Sequence, residues 1–192
     1  MNIIEMVLDE SSEKQGIHAV SVVESPAIEE NWIALNKQLI ELKSVDEEKK
    51  ILMGAGLVPD KQIYRRDKDN GEFYIYFSKE TIRKASELFL KRSNQNNATY
   101  EHQMKIEGMS VVESWIIEDK EKDKSAIYGF DLPVGTWMIS MKVDNPEVWD
   151  KVKAGEIKGF SIEGYFEPAE AKLSTDKSDE ELLNEILNIL NA

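Results

Sequence analysis

The sequence contains no cysteine, and only two of its 192 residues are histidine. The absence of cysteine excludes a disulfide framework, a thiolate zinc site and a cysteine nucleophile. No apolar run approaches the roughly 20 residues that a membrane-spanning helix needs. Residues 1–14 turn acidic where a signal peptide would stay apolar. We therefore expect a cytosolic protein, or one that is packaged by a particle assembled in the cytosol.

Basic residues are also scarce, with 24 lysines and arginines against 37 acidic residues and a net charge of −13. Binding to a phosphate backbone needs a basic face, so this balance argues against nucleic-acid binding as the main role. The sequence has neither a glycine-rich phosphate loop nor a dinucleotide fingerprint. We expect no metal and no organic cofactor.

Short β-rich runs dominate the first 166 residues. The clearest is Asn70-Gly71 between two β-rich segments, a dipeptide that supplies the two positive φ values of a type I′ turn. It predicts a hairpin with a two-residue turn between residues 63–66 and 73–77. Further short β-rich runs predict strands at residues 3–8, 17–23, 51–58, 136–143 and 157–166, with Pro26 and Pro59 ending the second and third of them.

Two helices interrupt these strands. Ser78 is a typical N-cap for a helix over residues 79–92. Asn145-Pro146-Glu147 combines an N-cap, an N1 proline and a first-turn acid, and Gly155 is a typical C-terminal stop. Many strands with few scattered helices favour the α+β class, as a mixed, mostly antiparallel β-barrel or sandwich with peripheral helices.

The C-terminal part of the sequence differs from the rest. Residues 167–177 are polar and predict a linker, and Ser178 with Glu181 forms a capping box for an amphipathic helix over residues 178–192. We therefore expect one domain over residues 1–166. Because isolated helices this short are marginal in water, we expect the last helix to bind the domain, a second copy of the chain or a scaffold protein.

His102 is the histidine with a geometric argument for catalysis. If Glu107-Gly108 forms a two-residue turn, the segment around His102 pairs with the segment that follows, and His102 faces Glu113. Side chains directly opposed across two strands lie about 5 Å apart, so this carboxylate could orient the imidazole. The alternative is an ordinary cross-strand ion pair.

Ser161 is the serine that stands out as a nucleophile. It lies in Gly159-Phe160-Ser161-Ile162-Glu163-Gly164, where strand alternation places Ser161 and Glu163 on one face. The flanking glycines would let another backbone, such as a substrate strand, approach closely. The alternative is a structural strand serine beside a glycine bulge.

Several blocks, in a specific order, resemble the XkdF-type phage serine proteases of PBSX-like prophages. The likeness covers about residues 15–166. The blocks that carry it are residues 23–29, 57–60, 73–82, Glu101-His102, 111–119, 135–138 and 153–164.

This resemblance implies a phage prohead maturation protease with a fold similar to herpesvirus assemblin. It identifies Ser161 as the nucleophile and His102 as the base of a serine endopeptidase that would cleave capsid and scaffold proteins inside the procapsid. The acid is not set by the resemblance. The hairpin argument favours Glu113, and Glu163, on the same strand face as Ser161, is the alternative.

Overall fold

A computed structural model describes residues 2–24, 33–34, 49–67 and 71–169 of the chain. Most of the predicted linker, from residue 170, and the predicted helix over residues 178–192 lie outside these ranges. The described strands and helices are β1 (Asn2–Val7), β2 (Gly16–Val23), β3 (Ile33–Ala34), β4 (Ile51–Leu57), β5 (Ile63–Asp67), β6 (Gly71–Phe77), α1 (Lys79–Lys91), β7 (Ala98–Tyr100), β8 (Met104–Ile106), β9 (Met109–Ile116), α2 (Lys124–Ile127), β10 (Trp137–Val143), α3 (Pro146–Ala154), β11 (Gly159–Tyr165) and β12 (Glu167–Pro168).

The strands form three four-stranded sheets. Their orders are β12-β1-β6-β5, β3-β4-β10-β9 and β11-β2-β7-β8. The pairs β1–β6 and β2–β7 are parallel, and the other pairs are antiparallel. Within the described ranges no sheet closes into a barrel. The prediction of a mixed, mostly antiparallel β fold with few helices is confirmed in its sandwich-like form.

Both predicted internal helices are present with their predicted caps. The Ser78 hydroxyl accepts a hydrogen bond from the Thr81 amide at the start of α1. The Asn145 side chain does the same for Val148 at the start of α3, and Gly155 ends α3 with a φ of +73°. In the part of the chain that the structure describes, no helix is long and apolar enough to span a membrane.

The predicted hairpin over residues 63–77 is confirmed, but its two-residue turn is wrong. Gly71 pairs with Asp67, so residues 68–70 separate the paired positions. Gly71 has a φ of +69° and opens β6. Gly71, which as a glycine tolerates a positive φ, is therefore the first strand residue after the connection and not a residue of the turn.

The core lies around the central strands β4 and β10 and the buried face of α1. Trp137 on β10 is fully buried, and its ring meets Phe89 of α1 edge-on with centroids 5.5 Å apart. A Cβ at Gly56 would lie 2.6 Å from the Trp137 ring, so only glycine fits there. Burial of side chains this large contributes about 2–3 kcal/mol each to folding, which fixes the sheet that carries β9 and β10.

The hairpin that we predicted between the His102 segment and residues 109–118 is wrong. Strand β8 pairs with β7 in one sheet, whereas β9 pairs with β10 in another. Gly108, with a φ of +76°, lies where the chain passes from one sheet to the other. Its carbonyl accepts hydrogen bonds from the amides of Asp144 and Asn145 at 2.7 and 3.2 Å. These bonds fix Gly108 to the start of α3.

Candidate functional site

Strand β11 presents the predicted nucleophile at the edge of a sheet. It pairs with β2 in antiparallel register, with Ser161 opposite Ser21 and Glu163 opposite Ala19. Phe160 is 2% exposed and Ile162 contacts the core, whereas Ser161 and Glu163 are half-buried. The predicted alternation therefore holds, and Ser161 and Glu163 share the face that lies away from Phe160 and Ile162.

Glu163 is the carboxylate that contacts His102. Its Oε1 lies 3.2 Å from His102 Nδ1, and the two side chains are 32% and 42% exposed. A carboxylate that accepts from Nδ1 fixes the imidazole tautomer that leaves Nε2 as the basic nitrogen. The site therefore holds a paired histidine and acid on the strand face that carries Ser161.

His102 reaches this position because of an unusual turn. The Gln103 amide donates to the Tyr100 carbonyl at 3.0 Å, and the central residues Glu101 and His102 have φ values of +51° and +58°. Left-handed backbone in residues other than glycine costs about 1–2 kcal/mol each and clusters at functional sites. The turn joins β7 to β8 and places His102 over the β11–β2 end of the sheet.

Two polar residues that sequence analysis missed hold this arrangement. The fully buried Ser21 hydroxyl accepts from the His102 amide at 3.1 Å and donates to the Thr99 carbonyl at 3.3 Å. The Thr99 hydroxyl donates to Glu163 Oε1. Ser21 lies between two valines of a buried strand, and a buried hydroxyl needs hydrogen-bond partners. This was the sequence signal that could have identified it.

Ser161 and His102 lie on the same side of the sheet but are not hydrogen-bonded to each other. Within the described residues neither Ser161 Oγ nor His102 Nε2 has a hydrogen-bond partner. Both groups therefore keep their hydrogen-bonding capacity within the described part of the chain.

Glu113, the acid that the hairpin argument favoured, lies in a different sheet from His102. It pairs with Ser140 on β10, and its carboxylate contacts Lys124 Nζ at 2.5 and 2.6 Å. Burial raises the pKa of Glu113, but its polar contacts with Lys124 and Ser140 and the charge of Lys124 outweigh burial and hold the pKa below its ordinary value. Its described contacts are therefore those of a structural ion pair.

The close backbone approach that the glycines around Ser161 suggested occurs within the chain. A Cβ at Gly164 would lie 2.4 Å from the Gly16 carbonyl oxygen, where the β11–β2 register shifts. Glycine at this position is therefore needed by the pairing of β11 with β2. It is not by itself a sign of a substrate strand.

In the described ranges, no group of three or more histidine, aspartate or glutamate side chains could hold a metal ion. The groups that the described site brings together are a hydroxyl, an imidazole and a carboxylate.

Comparisons with known proteins now extend these observations. Residues 38–170 match the family described as "Putative phage serine protease XkdF". The chain is also 33% identical over 110 residues to an uncharacterized protein, YqbD, of Bacillus subtilis (strain 168). That match covers 55% of this chain and 32% of the relative, so the chain spans about a third of the relative's length. No solved structure matches the chain significantly.

Proposed function

This chain belongs to the XkdF family of phage serine proteases, and on that premise we propose that it is a serine endopeptidase with Ser161, His102 and Glu163 as its catalytic residues. The observation that carries the proposal is the 3.2 Å contact between His102 Nδ1 and Glu163 Oε1. The pair lies on the strand face that also carries Ser161.

In the proposed reaction Ser161 Oγ attacks a peptide carbonyl carbon while His102 Nε2 takes the hydroxyl proton. The tetrahedral intermediate collapses to an ester on Ser161, and His102 gives the same proton to the departing amine. Water then attacks the ester while His102 takes its proton, and His102 returns this proton to Ser161 Oγ as the ester bond breaks and the acid product leaves. Glu163 accepts the hydrogen bond from Nδ1 and stabilises the imidazolium that forms in each step.

The missing hydrogen bond between Ser161 and His102 is compatible with this mechanism. Such bonds are often long in proteins without substrate and tighten in the complex. The half-exposed imidazole is on a turn, so a small rotation about its side-chain torsions changes where Nε2 lies. Backbone amides near Ser161 are the proposed donors to the oxyanion.

We assign the activity to head maturation of a tailed phage or prophage, with cleavage of capsid or scaffold segments, and of the chain itself, inside the procapsid. The proposal includes an assemblin-like fold for residues 1–166 and a partner role for residues 178–192 in binding a second copy or the scaffold. The site of action would be the cytoplasm of the host bacterium.

The experiment is a comparison of three variants, S161A, H102A and the double variant, on peptide cleavage and on labelling by a fluorophosphonate. Since triad members act as a unit, each single variant should lose at least about 10³-fold in turnover, and the double variant should be hardly worse. Thermal melts serve as the folding control. Full turnover in either single variant, with an unchanged melting temperature, would contradict the assignment.

A second function is favoured by one observation, the lack of a hydrogen bond between Ser161 Oγ and the imidazole. The chain could be a head morphogenesis protein that retains the protease fold without activity. In that case the wild-type chain would neither take up the fluorophosphonate nor cut itself or any peptide. Labelling that disappears in S161A would exclude this second function.

A further inference from the structure

A cavity of about 220 Å³ opens beside Ser161. It lies between the edge of β11 and the strands β5 and β6. Most of the lining residues are aliphatic or aromatic, and Arg65 is the lining residue that carries a positive charge. Its lining includes Ser161 together with Ile63, Arg65, Phe77, Phe160 and Ile162. A cavity of this size accepts a side chain of a ligand, since whole ligand pockets are larger.

Two open strand edges border this cavity. Strand β11 is the last strand of its sheet and pairs only with β2, and β5 is the last strand of its sheet and pairs only with β6, in the described part of the chain. The outer edges of such strands offer amide and carbonyl groups to an extended peptide. A peptide that pairs with the β11 edge would pass Ser161 with its side chains at alternate positions facing the cavity.

Arg65 gives the cavity its charge preference. The Arg65 Nη1 donates to the Tyr64 carbonyl at 3.0 Å, and no carboxylate of the described residues forms an ion pair with the guanidinium. Arg65 is an exposed residue that lines the otherwise largely apolar cavity, and partial burial lowers the pKa of its guanidinium, which stays protonated in proteins. A carboxylate of a ligand that enters the cavity can therefore form charge-assisted hydrogen bonds with it.

We propose that this cavity is the specificity pocket of the peptidase and that Arg65 selects substrates with an acidic side chain next to the scissile bond. The inference rests on the proposed function, since it names the substrate class of that same site. A glutamate fits best, because its methylene stem can lie against Ile63 and Phe77 while its carboxylate meets the guanidinium.

The net charge of the chain makes this local contact necessary. At −13 the protein repels an acidic peptide at long range, so a preference for acidic substrates must come from a specific short-range partner. The neighbouring Arg66 is exposed and does not line the cavity, because strand alternation turns it to the other face of β5. Arg66 is therefore a matched control with the same charge on the same strand.

The test starts from a mixture of randomised dodecapeptides, in which mass spectrometry identifies a bond that the wild-type chain cuts. Three peptides are then made that differ only in carrying glutamate, glutamine or lysine next to that bond. We expect kcat/KM to favour the glutamate peptide over the glutamine peptide at least about tenfold. The ratio of kcat/KM for the glutamate peptide to that for the glutamine peptide should fall to about one in R65Q and stay above one in R65K. In R65E the preferred substrate should be the lysine peptide.

A binding measurement makes the outcome independent of turnover. The same three peptides, or, if the wild-type chain cuts none, three dodecapeptides of one fixed sequence that differ in the same way at a central position, carry a fluorophore. They are titrated by anisotropy against S161A, S161A/R65Q and S161A/R66Q, each checked by a thermal melt. The glutamate peptide should lose its advantage with R65Q and keep it with R66Q.

Four results are distinguishable. A glutamate preference that R65Q removes and R66Q retains, in both assays, supports the inference. An active enzyme with no such preference, or with one that R65Q leaves unchanged, overturns it while the proposed function stands. An inactive wild-type chain whose binding preference still depends on Arg65 overturns the peptidase and retains the anion-selective pocket. Inactivity without that dependence overturns both.

Discussion

Two carboxylates on edge strands, Glu163 and Glu113, each contact a basic side chain, but their surroundings differ. Glu163 contacts His102 and Thr99 on a sheet face that carries a serine without a hydrogen-bond partner in the described residues. Glu113 contacts Lys124, whose ammonium also lies 5.5 Å from the centre of the Trp115 ring. A lysine side chain meets a carboxylate as a compact cation, whereas the imidazole of a histidine can act as a general base and acid.

This comparison shows that a paired carboxylate on a strand is not enough to make a catalytic acid. What distinguishes Glu163 is the titratable partner, the second hydrogen bond from Thr99, and a nucleophile two residues along the same strand. The predictions that follow use one region as the control for the other.

The largest difference should come from removing each negative charge. We expect E163Q to lower kcat by about 10²–10⁴-fold with an unchanged melting temperature, because the amide no longer stabilises the imidazolium or fixes its tautomer. E113Q should change kcat less than about twofold. Steady-state cleavage of one peptide by the two purified variants checks this, and loss of kcat in E113Q alone would return the acid role to Glu113.

An intermediate effect should come from Thr99, which acts on the site through Glu163. T99V removes the hydroxyl donor with little change in volume, so we expect kcat to fall about 3–30-fold with little change in KM. T99S keeps the hydroxyl and should restore most of the loss. Equal kcat values in T99V and the wild type would mean that Thr99 has no positioning role.

The smallest effect should be on stability, at the Glu113–Lys124 pair. The pKa of Glu113 is lowered in the folded protein, so its ionisation stabilises the fold above the unfolded-state value of about 4.5. This contribution disappears as the pH falls through the lower folded-state pKa. Since both side chains are more than a third exposed, we expect E113Q to cost only about 0.5 kcal/mol at pH 7.

Urea unfolding of the wild type and E113Q at pH 7 and at pH 3 measures this effect. The two proteins should differ in the free energy of unfolding at pH 7, and the difference should shrink at pH 3. A difference that grows on acidification would contradict the sign of the pKa shift.

Local sequence determined most of the secondary structure of this protein. The hydroxyl of Ser78, the Asn145-Pro146-Glu147 start and the stop at Gly155 produce the helix ends that they predict, because capping depends on residues within one turn. Strand alternation likewise predicted that Ser161 and Glu163 share a face. The nature of the site, with a hydroxyl, an imidazole and an acid, was present in the sequence as well.

Only the tertiary structure decided which acid meets His102. The segment that contains His102 could pair with β9 or with β7. Pairing with β9 would use a turn at Gly108, where glycine adopts a positive φ at low cost. Pairing with β7, which occurs in the structure, uses a turn that puts Glu101 and His102 in the left-handed region. The cost of about 1–2 kcal/mol per residue is outweighed because β9 buries Met109 and Val111 against β10. Strand partners far apart in sequence are chosen by such burial, which no local pattern encodes, and that choice separates Glu113 from His102 and brings Glu163 to it.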